Sequence, residues 1–166
     1  MDLDAEIEAR IGRSIADIFA HDGETEFRKI EQETLSDIIS AHAQDTSIPA
    51  NTTLILALGG GAVMTKECEE MVHEGTFCVY LRTSVDELVA RLAGEAAGRP
   101  LLGTQPGTED SALRKETLYK RIMDLMAKRR STYEKTAHII IDTDGKTIDK
   151  IAEEIFYKST VTPKNG

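Results

Sequence analysis

Residues 53–58 read TLILAL and pass without a break into Gly59-Gly60-Gly61. A continuous apolar run of this length is the pattern of a strand covered on both faces in a parallel sheet, not of an antiparallel strand with one side in water. Parallel neighbours cannot be joined by a tight turn, so helical crossovers have to stand between the strands. The rest of the chain is arranged in that way.

Leu3, Ile7, Ile11, Ile15, Ile18 and Phe19 recur at three- and four-residue intervals, and Gly12 and Ser14 offer a stop and a new N-cap, which predicts two short helices. After His21-Asp22-Gly23, the stripe of Phe27, Ile30, Thr34, Leu35, Ile38 and Ile39 predicts a longer helix ending near His42, with a polar, proline-containing loop behind it. Beyond the glycines come a helix, a second apolar strand at 77–81, and a helix through Val85, Leu88, Val89 and Leu92 capped by Ser84. Residues 94–110, rich in Gly, Pro and Thr around Arg99-Pro-Leu-Leu102, lack periodicity over a length unusual for a connector and read as a lid. A helix from about 111 to 133, a strand at 138–141, a last helix from about 147 to 158 and a frayed tail at 161–166 complete the order. The alternation predicts one α/β domain over residues 1–166, with helices on both faces of a parallel sheet and ligands at the carboxyl ends of its strands.

Composition narrows the function classes. A chain of 166 residues, 40% of them hydrophobic, can bury one core and is short for two ordinary domains. The net charge of -9 argues against nucleic acid and anionic membrane as partners, because a polyanion is repelled except at a local basic patch. Cys68 and Cys78 form no CxxC pair and the four histidines stand far apart, so neither a zinc site nor a disulfide framework is expected. The chain starts with no signal-peptide pattern and has no apolar segment approaching the roughly 20 residues that span a bilayer. A soluble protein of a reducing cytoplasm, acting on a small molecule, is the expectation.

Several residues could carry chemistry, each with a plainer alternative. Asp2 and Asp4 would share one side of an extended backbone and could hold a metal ion and steer a hydroxyl, or simply cap the following helix. Arg28 stands near a helix start, where a cation opposes the dipole, and is either kept for a ligand or paired with Glu24 or Glu31 at helical spacing. Gly59, Gly60 and Gly61 follow a buried strand; without Cβ atoms their backbone can approach an anionic group and adopt positive φ, the alternative being a tight turn. Arg99 could swing over transferring phosphates as the lid closes, or be an ordinary loop arginine. Arg129, between Lys128 and Arg130 late in a helix, also suits a helix C-terminal charge cluster.

Taken in order, Asp2-x-Asp4 with Ile7-Glu8, Gly23-Glu24-x-x-Phe27-Arg28-x-x-Glu31, Gly59-Gly60-Gly61, Arg99-Pro-Leu-Leu102 and Arg129-x-x-x-Tyr133 make a set that resembles the shikimate kinase family over nearly the whole chain. The resemblance implies a three-layer α/β/α P-loop kinase-like fold and ATP- and Mg2+-dependent phosphorylation of the shikimate 3-hydroxyl, on the way to chorismate and the aromatic amino acids. By position, Asp4 matches the aspartate that holds the shikimate hydroxyls and is a candidate base. Asp2 matches the one facing magnesium. Arg28 and Arg129 match the pair gripping the substrate carboxylate, with Gly59, Gly60 and Gly61 as the backbone contact. Arg99 matches the lid arginine that reaches ATP, and Lys146 falls near the loop beside the adenine. The family is usually monomeric.

The sequence departs from the family at one place: it contains no GxxxxGK[ST] loop. In the family that loop follows a first strand and precedes the paired aspartates, so the fold is expected here without its first strand, P-loop and first helix. The loop's amides, lysine and hydroxyl hold phosphates and magnesium, so the 166 residues as written are expected to be inactive, and the natural protein to begin some thirty residues earlier. Two other readings stay open: a shikimate-binding protein without catalysis, and another small-molecule kinase of the same fold, such as a gluconate kinase-like enzyme.

Overall fold

The computed structural model describes residues 1–44, 53–92 and 111–161. These form two compact units, Met1–Thr76 and Phe77–Gly166. The lid expected at 94–110, with Arg99, lies outside the described residues, as does most of the expected tail.

The first unit is built on helices α1 (Leu3–Ile11), α2 (Ile15–His21), α3 (Gly23–Gln44) and α4 (Lys66–Gly75). The punctuation between the first two follows the sequence: Gly12 closes α1 in the left-handed conformation at φ 71°, and the Ser14 hydroxyl accepts the Asp17 amide to open α2. Leu3, Ile7, Ile18, Phe27, Leu35, Val63, Cys68 and Val72 are buried and bind the four helices into one core. Each fully buried aliphatic side chain contributes about 1.5–3 kcal/mol.

The second unit holds strands β1 (Val79–Arg82) and β2 (Ile139–Asp142), which pair in parallel from Val79 against Ile139 to Arg82 against Asp142. The crossover between them includes α5 (Val85–Leu92) and α6 (Ser111–Thr136), whose Val89, Leu118 and Ile122 form a small apolar cluster. Helix α7 (Ile148–Val161) returns against β2, and it includes Val161, which the sequence suggested would fray.

The run at 53–58 departs from expectation. Among the described residues it forms only an isolated parallel bridge, between Ala57 and Asp2, and its side chains are alternately half-buried and exposed, with Ile55 78% exposed. Its ladder bonds run to Met1 and Leu3: Leu3 N–H donates to Ala57 O at 3.0 Å and Ala57 N–H to Met1 O at 3.0 Å. A strand buried on both faces needs layers above and below it, and a bridge of this length organises neither.

Candidate active site

The short pairing just described sets the site, because it holds the start of α1 beside the segment that leads into the glycines. Asp2 is extended, and its Oδ1 accepts the Ala5 amide at 3.0 Å, an N-cap. Asp4 is already inside the first helical turn. The two carboxylates therefore do not share the face of a strand as the sequence suggested; the helix begins one residue after Asp2 because its cap is already in place. Asp4 lies at the surface, yet its neighbours strip enough water from it to push its carboxyl above the usual range. The charges of Asp2 and Glu8 push the same way and Arg28 opposes them.

The glycine turn explains its own composition through its neighbours. A Cβ on Gly61 would lie 2.5 Å from both Nη1 and Nη2 of Arg28, and a Cβ on Gly59 would lie 3.1 Å from Asp4 Oδ1. Among the described residues positive φ occurs only at Gly12, Gly23 and Gly145, so Gly59 and Gly61 are not there for left-handed backbone. They are small so that a carboxylate and a guanidinium can close on the turn. Hydrogen bonds from Ala62 N–H to Gly59 O at 3.0 Å and from Met64 N–H to Gly61 O at 3.1 Å fold the turn back towards α4.

Arg28 is held from its own helix. Its Nη1 donates to Glu31 Oε2 at 2.6 Å and its Nη2 to Glu24 Oε1 at 3.3 Å, and the guanidinium carbon lies 5.2 Å from the centre of the Phe27 ring. Both ion pairs allowed by the helical spacing are thus formed, but they are unequal, since the Glu31 side chain is 4% exposed and that of Glu24 62%. Burial alone would lower the Arg28 pKa; hydrogen bonds and charge from Glu31 and Glu24 outweigh it and raise it, so the group stays cationic. Glu31 is the residue the sequence undervalued. It stood in the motif only as a spacing partner, whereas in the fold it fixes where the guanidinium points.

Arg129 and Lys146 lie in the second unit. Arg129 is half-buried on α6 and has interactions within the chain. Lys146, in the turn between β2 and α7, forms an ion pair with Glu154, which Lys158 also reaches at 3.0 Å. Gly145-Lys146-Thr147 reads GK[ST], but Ile140 stands where GxxxxGK[ST] needs its first glycine, and Ile140 is paired inside β2. The tripeptide is a turn and not a phosphate-binding loop. Gly60 is exposed.

Among the described residues no group of three or more His, Cys, Asp or Glu side chains is placed to hold a metal. Magnesium asks less of a protein, since it keeps waters and is commonly bound by one or two carboxylates together with substrate phosphates. Asp2 fits that share, with Oδ1 used as a cap and Oδ2 left over.

Comparison with known proteins identifies the family. The family model described as shikimate kinase matches residues 1–160, across both units. The shikimate kinase of Chlorobium limicola is 35% identical over 93% of this chain and 70% of its own length, and that of Rhodococcus erythropolis is 35% identical over 95% and 80%. Among solved structures, the shikimate kinase from Acinetobacter baumannii in complex with shikimate superposes with a TM-score of 0.77 and 28% identity, over 99% of this chain and 79% of that one. The shikimate kinase from Bacteroides thetaiotaomicron, at 23% identity and a TM-score of 0.74, covers 97% of this chain and 81% of its own and shares the fold. The α/β fold of the P-loop kinase type is therefore borne out, and the chain belongs to the shikimate kinase family.

Proposed function

We propose that this chain supplies the acceptor side of ATP-dependent phosphate transfer to the 3-hydroxyl of shikimate, in the biosynthesis of chorismate and the aromatic amino acids. The observation that carries the reading is the glycine turn, which has the Asp4 carboxylate against Gly59 and the Arg28 guanidinium against Gly61. A carboxylate accepts from hydroxyls and a guanidinium fork grips a carboxylate. One small turn thus offers both kinds of contact that a polyhydroxy acid needs.

In this reading Asp4 holds the reacting hydroxyl and takes its proton, a task helped by a pKa raised towards working pH. Arg28 exchanges its long contact to exposed Glu24 for the substrate carboxylate while Glu31 keeps it aimed. By its place in the motif order Arg129 is assigned to the same carboxylate, and the Gly59-Gly60-Gly61 backbone to the ring of the acceptor. Arg99 and Lys146 are assigned to ATP by their positions in the sequence, and Lys146 is shared with Glu154. Magnesium, held through Asp2 and the phosphates, neutralises charge on the transferring group. The protein acts as a monomer in the cytoplasm, where its two free cysteines stay reduced.

Positioning is nearly the whole of phosphoryl-transfer catalysis. With no GxxxxGK[ST] among them, these 166 residues alone bind shikimate and transfer phosphate poorly or not at all. The test is shikimate-dependent ADP release from ATP by the chain, beside the same chain joined to the first strand and P-loop segment of a relative. The reading expects release only in the joined form. Release with gluconate in preference to shikimate would assign a different kinase, and release in neither form would leave binding without catalysis.

A further inference from the structure

At the start of the β1–β2 pair, a histidine does what backbone usually does. His138 Nδ1 accepts the Cys78 amide at 3.0 Å, while Cys78 O accepts the His138 amide at 2.9 Å. The imidazole thus completes a reciprocal pair one residue before the regular ladder begins at Val79 and Ile139. The Phe77 ring, 5.4 Å away and inclined by 26°, stacks on the imidazole and fixes its plane.

A ring nitrogen that accepts a hydrogen bond cannot carry a proton. We propose that His138 is an acid-sensitive latch on the parallel pair, closed while its imidazole is neutral and opened when Nδ1 is protonated against the Cys78 N–H. Protonation sets two donors face to face, so the ring has to turn away and a half-buried amide loses its partner.

Titratable and charged groups stand on the elements around the pair. From β1 come the Cys78 thiol, which burial pushes up and so keeps neutral, and the Tyr80 phenol, pushed up by burial and by Tyr133. From α7 come Lys158, whose Nζ donates to Ile140 O at 3.2 Å, and Glu154, already shared by Lys146 and Lys158. Glu134 and Lys135 stand at the end of α6, where Glu134 is taken by Arg130 at 2.8 Å and Arg82 at 3.7 Å. Phe77 would attract a cation through its face, but it holds the same ring as an acceptor.

The far end of the pair does not share this sensitivity. Arg82 Nε donates to Asp142 Oδ1 at 2.5 Å and Arg82 Nη2 to Oδ2 at 2.9 Å, and this keeps the Asp142 carboxyl below the usual range. Mild acid therefore releases the sheet from one end only.

The experiment follows the His138 ring protons and the Cys78 amide protection factor by NMR between about pH 4.5 and 8. The latch predicts that His138 titrates below the ordinary value of about 6.5, by about one pH unit or more, and that Cys78 protection falls in step with it. His138→Asn keeps an acceptor but cannot titrate, so protection at Cys78 should become flat with pH. If that variant does not fold, the wild-type titration decides alone. A His138 that titrates at or above about 6.5, or a Cys78 protection factor indifferent to its titration, would overturn the proposal.

Discussion

At the scale of single residues, Gly61 separates function from folding most sharply. The atoms that a Cβ there would strike are the tip of a flexible side chain, Arg28 Nη1 and Nη2 at 2.5 Å, and not backbone. Gly61→Ala should therefore fold with stability within about 1 kcal/mol of wild type, because the guanidinium tip can shift while keeping its bond to Glu31, and should lose shikimate affinity, because the fork no longer closes on the turn. Thermal melts and calorimetry on one preparation check both halves. Asp4 gives the opposite pairing. Its folded-state pKa is raised, so its charge opposes folding; the penalty grows as pH rises through the unfolded value towards the folded one and is complete above that. Asp4→Asn should melt slightly higher than wild type at neutral pH, by less than about 1 kcal/mol because the group is exposed, and the difference should vanish in acid. In the enzyme joined to a P-loop segment the same variant should lose transfer. A lower melting temperature at neutral pH would show that Arg28 outweighs burial at Asp4. These residues were legible in sequence as types at spacings, but their purpose was not. The triple glycine suggested positive φ, and only the fold shows that its neighbours, Asp4 and Arg28, require the missing side chains.

At the scale of elements, caps and stripes were readable and the strand was not. Gly12, Ser14, Ser84 and the three- and four-residue stripes each predict a helix that is present, because caps and amphipathic faces are local properties. Residues 53–58 carry an equally local pattern, yet a strand is completed by partners distant in sequence, and among the described residues the bridge reaches only Met1–Leu3. Asp2 shows how an element and a site can share a residue. Asn caps a helix as well as Asp but carries no charge. Asp2→Asn should therefore keep the melting temperature while weakening the Mg2+ dependence of transfer in the joined enzyme, whereas Asp2→Ala should also lower stability by about 1 kcal/mol. Equal melting losses in both variants would remove the capping account. Glu31→Ala leaves the largely buried Arg28 without its close partner, and a loss of about 2–4 kcal/mol is expected in chemical denaturation.

At the scale of the whole molecule, five weak motifs in the right order identified the family when no single one could. Two of the pieces have a plain structural explanation that the fold bears out: Asp2 is a cap and Arg28 is paired within its helix. What those explanations leave over is the meeting of Asp4, Arg28 and the glycines, elements separated by tens of residues and brought together in the first unit. An acidic chain has no general attraction for an anion, so binding of a carboxylate should depend on that local fork and not on overall charge. The most direct measurement is calorimetric titration of shikimate into the wild-type chain and into Arg28→Lys, which keeps the charge and loses the fork. Saturable one-to-one binding by the wild type, weakened at least about tenfold in Arg28→Lys, is the result predicted. Equal binding by both, or none by the wild type, would contradict the assignment of the glycine turn as the acceptor site.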